Sequence, residues 1–131
     1  MTESLTCHFD RYAAERRDDA GEAWANAAAR VTAQIDEGED LTASDLAEIA
    51  LHQHLHGWWR WATTLIDDEG ANGADAILQV RQQAEHHLID MPPIRHGGLF
   101  EQAMAEARRE AAQRFLKTTE KLAAAAAEAR A

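Results

Sequence analysis

His52 and His56 are the residues whose type and spacing first suggest chemistry. They stand four apart in a helix-prone stretch, so both imidazoles project from one side, one turn apart. That is the spacing two metal-ligating histidines need. Further ligands must then come from elsewhere, with His86 or His87 first, then His96 or Asp45. Gln53 follows His52, so the His-Glu-x-x-His pattern of zinc peptidases is absent, and no Glu-x-x-His occurs anywhere. In an alanine-rich helical protein such a pair is more often a partly exposed polar strip.

His54 lies between them in sequence but on the apolar edge of the same helix, beside Trp58 and Trp61. Arg81 and Arg114 also fall on or beside apolar faces near the middle of their helices, and His87 flanks the same face as Arg81. In one register these four meet as a polar layer. Such a layer binds an anion or a small ligand or, more often, simply fixes which helices pair. Trp58, Trp59 and Trp61 point about 100° apart per residue, so they cannot all enter one core. Trp58 is expected inside. Trp59 and Trp61, with Arg60 between them, have the composition of a protein-interaction hot spot. Leu46 and Ile49 form a second apolar side nearly opposite the main one, as expected for a helix packed against more than one neighbour or against a second subunit. A haem with His54 or His56 as axial ligand would use the same residues, but no second ligand and no Cys-x-x-Cys-His motif accompanies them.

Other chemistries find less. Cys7, Ser4 and Ser44 have no evident base beside them, and Gly97-Gly98 is too short for a phosphate loop. The net charge of −10 and the absence of a basic, aromatic-studded face disfavour nucleic acid and anionic membrane surfaces as partners. No stretch has the length and apolarity of a membrane span, and no secretory leader is evident. A single cysteine suits a reducing, cytoplasmic setting. Arginine far exceeds lysine, an association with bacterial or phage sources.

The elements that must position these residues are helices. Alanine dominates, and proline occurs twice. Apolar periodicity predicts helices over about 10–36, 43–67, 74–90 and 99–128. Gly38 is the expected stop of the first. Thr42 with Asp45 reads as a capping box for the second, and Asn72 or Gly73 as the cap of the third. Met91-Pro92-Pro93 through Gly97-Gly98 separates the third from the fourth. The expected fold is one all-α domain over residues 1–131, an antiparallel up-down four-helix bundle with a long C-terminal helix. The expected function is non-enzymatic protein–protein interaction: self-association through the fourth helix or the second apolar side of the second, or binding of a protein partner as an inhibitor, immunity protein or regulatory subunit. No cofactor is expected. A metal- or small-ligand-binding bundle using the His/Trp-rich second helix is the alternative, with metal through His52, His56 and His86 and haem as its variants.

Overall fold

The computed structural model describes residues 5–90 and 97–130. Among them the chain is all-helical: α1 Leu5–Asp36, α2 Ala43–Glu69, α3 Gly73–Asp90 and α4 Leu99–Arg130. α1 begins five residues before the expected Asp10, which places Cys7 in a helix rather than in a tail. None of these helices is long and apolar enough to cross a membrane.

The boundaries follow from local chemistry. Gly38, at φ 75°, takes the left-handed conformation that ends α1, and its N–H donates to Ile35 O. Thr42 caps α2: its hydroxyl accepts from Asp45 N at 3.1 Å, and the Asp45 carboxylate accepts from Thr42 N at 3.0 Å. The Thr42 N–H, helped by the Thr42 hydroxyl, holds the Asp45 carboxyl below its usual range. Gly70, at φ 70°, closes the other end by donating to Leu65 O. Asn72 opens α3 by the same device, accepting from Asp75 N at 2.8 Å.

α2 packs against all three other helices, whereas no Cα of α1 approaches a Cα of α4 within 8 Å among the described residues. The pair α2–α3 therefore separates the outer two. Ala13, Ala62, Ala76, Ala84, Ala111 and Ala112 are each 0% exposed, so backbones approach closely wherever helices cross. Trp59 and Phe115 fill the centre that these small residues leave open. Phe9 and Ile77 form a second buried knot, with Leu122 against it. Leu51 packs with Ala107 and Ala111 in a third.

Trp59 overturns one expectation. It is a core residue, 2% exposed, and not an interface residue. Its ring meets Phe115 edge-on at 4.8 Å and Tyr12 at 5.8 Å. The reason is the number of neighbours. A helix with partners on three sides buries a wide arc, and Trp58 and Trp59 both lie within it. Trp58 is half-buried instead of central, while Trp61 is 41% exposed.

Candidate functional site

The expected polar layer is divided between two places. Arg81 crosses from α3 to α4, where it donates to Leu116 O at 2.7 Å and to Thr119 Oγ1 at 2.6 Å. The fully buried Thr119 hydroxyl in turn donates to Phe115 O. With one guanidinium nitrogen bonded to a backbone carbonyl and a buried hydroxyl of α4, this latch ties α3 to α4. Arg114 is not part of it. It is exposed and pairs with Glu110 one turn earlier, 2.8 Å away. Turning Phe115 into the core rotates its neighbour Arg114 outward.

His54 and His87 do come together, but around Arg108 rather than Arg81. They line a cleft of about 530 Å³ whose walls come from all four helices. α1 supplies Trp24, α3 supplies His87 and α4 supplies Arg108. α2 supplies Gln53, His54, His56, Gly57, Trp58, Arg60 and Trp61. Trp58 and Trp61 lie nearly parallel, 11° between planes and 6.0 Å between centroids, and the His87 ring stands edge-on to Trp58 at 5.9 Å. The His56 ring packs on Trp24 at 5.6 Å. It also lies against Gly21, where a Cβ would come within 3.2 Å of its Cδ2. Two buried nitrogens on the wall, His87 Nε2 and Arg108 Nε, have no hydrogen-bond partner among the described residues.

Burial lowers the pKa of all three cleft histidines, and nearby cations lower them further. Arg108 and His87 act on His54, and Arg108 and Arg109 on His87. Arg60 and Arg17 act on His56 against a smaller opposing effect of Asp18. These rings are therefore neutral at physiological pH. A lowered folded-state pKa means that the unfolded chain binds more protons, so the stability is present above about 6.5 and is lost as pH falls through the folded values. Urea midpoints are expected to decline steadily from about pH 7 to about pH 5. A variant with glutamine at positions 54, 56 and 87 should show a flatter profile; an equally steep one would assign the decline to other groups. Asp10, raised by burial with Gly73 N–H partly opposing, shifts stability the other way, but in the carboxylate range below this window.

The expected metal trio is not gathered. His56 faces the cleft and α1, His52 lines a separate groove with Arg16 and Asp19, and His86 is exposed on α3. Among the described residues no group of three or more His, Cys, Asp or Glu is placed to hold a metal ion; His96 lies outside them. Of the expected interface set, Arg60 and Trp61 are exposed on the cleft rim, Leu46 and Ile49 are half-buried, and Trp59 is inside. Sequence reasoning missed Arg108 and the role of Trp24. Arg108 stands one turn before the buried Ala112 and two turns before Phe115, so it borders the buried face of α4. That spacing was the available signal. No family model, curated protein or solved structure matches the chain.

Proposed function

We propose that this chain is a non-enzymatic binding protein that takes a flat organic molecule into the cleft beside α2. The observation that carries this reading is Gly57. A glycine inside a helix costs about 1 kcal/mol relative to alanine. Its usual compensation is close packing, yet a Cβ at Gly57 would meet nothing within 4 Å. Its missing side chain instead keeps open the cleft wall next to Trp58 and Trp61, the stacked faces that suit a planar guest. This reading is preferred to association with a protein partner or a second copy. Of the side chains that would make that surface, Trp59 is core and Leu46 and Ile49 are half-buried. We infer as well that the helices run alternately up and down, supported by the pairings Arg30 with Glu48, Trp58 with His87, and Leu88 with Arg109.

The test separates stability from binding. Gly57→Ala should raise the unfolding free energy by about 1 kcal/mol in urea titration. Gly57→Leu should fill the cleft and abolish quenching of tryptophan fluorescence by added naphthol, which the parent protein should show. Quenching unchanged in Gly57→Leu would place the guest elsewhere and overturn the reading.

A further inference from the structure

We propose that the cleft selects an aromatic carboxylate: its rings lie against Trp58 and Trp61, and Arg108, with Arg60 at the rim, receives the negative group. This rests on the binding role above and names the class of ligand.

The charge pattern carries the inference. The chain holds 23 Asp and Glu against 13 Lys and Arg. Several arginines outside the cleft pair with a carboxylate: Arg17 with Asp18, Arg30 with Glu48, Arg81 with Glu85, Arg114 with Glu110. The cleft differs in its whole lining. Two arginines, three histidines and three tryptophans line it, and no Asp or Glu does. Among the described residues neither Arg60 nor Arg108 has an ion-pair partner. An arginine that is half-buried and leaves its Nε unsatisfied in so acidic a chain is a group awaiting an anion. His87 Nε2, also unpartnered, lies on the same wall. The groove between α2 and α4 gives the contrast. It is similar in size at about 480 Å³, but Glu48, Glu106 and Glu110 line it, so it repels anions.

The histidines add a consequence. His54 faces Arg108 and His87; His87 faces Arg108 and Arg109; His56 faces Arg60, Arg17 and Asp18. A carboxylate placed among them offsets the mutual repulsion and favours protonation, so binding takes up protons and strengthens as pH falls through the values these rings have with the ligand bound.

The experiment titrates the full chain with two probes of one shape, naphthoate and naphthol, and follows tryptophan fluorescence at low salt. Naphthoate should bind at least about tenfold more tightly than naphthol. Arg108→Gln should remove that preference. Arg60→Gln, at an exposed position where folding is not at stake, should reduce the preference in part. Circular dichroism of both variants checks that the fold is retained. Equal affinity of the parent for both probes overturns the carboxylate assignment and leaves the flat-ligand cleft standing. So does a naphthoate preference that survives both substitutions. Failure of both probes to bind overturns both.

Discussion

Replacing Trp59 by alanine is expected to destabilise the protein by about 3–5 kcal/mol, a large part of the stability of a domain this size. The ring is 2% exposed and contacts α1 through Tyr12 and α4 through Phe115, so its removal leaves a void where three helices meet. The surrounding alanines are too short to collapse into that space. Trp61, two residues on and 41% exposed, provides the internal comparison. Trp61→Ala should cost less than about 1 kcal/mol. Urea titration of both variants measures the difference, and similar losses would remove Trp59 from its place as the keystone of the core.

Gly73→Ala should destabilise by about 3 kcal/mol, although alanine is normally the better helix residue. The first turn of α3 sits directly on α1. A Cβ at position 73 would fall 2.6 Å from Phe9 Cβ and 2.8 Å from Asp10 N, and it would also strike the Asp10 carboxylate. Backbone cannot swing aside as the tip of a flexible side chain can. Either α3 moves off α1, opening the Phe9–Ile77 knot, or the helix start unravels. The expected result in a thermal melt is a midpoint lower by about 10 °C. A midpoint unchanged or raised would show that α1 and α3 separate at little cost.

These two positions mark the limits of what the sequence revealed. The all-helical class and the ends of the helices were legible, because they depend on neighbours a few residues away. Gly38, the Thr42–Asp45 box and Asn72 act through bonds to residues within three or four positions. The inside of the bundle was not legible to the same degree. A helical wheel places Trp58 and Trp59 100° apart, but how wide an arc is buried depends on the number of neighbours, and α2 has three. Gly73 reads as a cap candidate until α1 is placed against it. The site shows the same division. His54 and His87 were identified as partners from their positions on apolar edges. Their shared cation is Arg108 rather than Arg81 or Arg114, because the rotation of α4 about its own axis is set by Phe115 and Ala112 packing, not by local pattern. The position of Trp24 beside His56 likewise depends on the α1–α2 register.

The separation of α1 from α4 also bears on how the cleft is held together. Trp24 belongs to one outer helix and Arg108 to the other, and α2 stands between them. The two outer walls are therefore coupled through α2 and α3, with no Cα of α1 within 8 Å of a Cα of α4 among the described residues. The α1 wall rests on the packing of Trp24 and Gly21 against His56, whereas α4 is tied to α3 by the Arg81–Thr119 latch, so separate contacts hold the two sides in place.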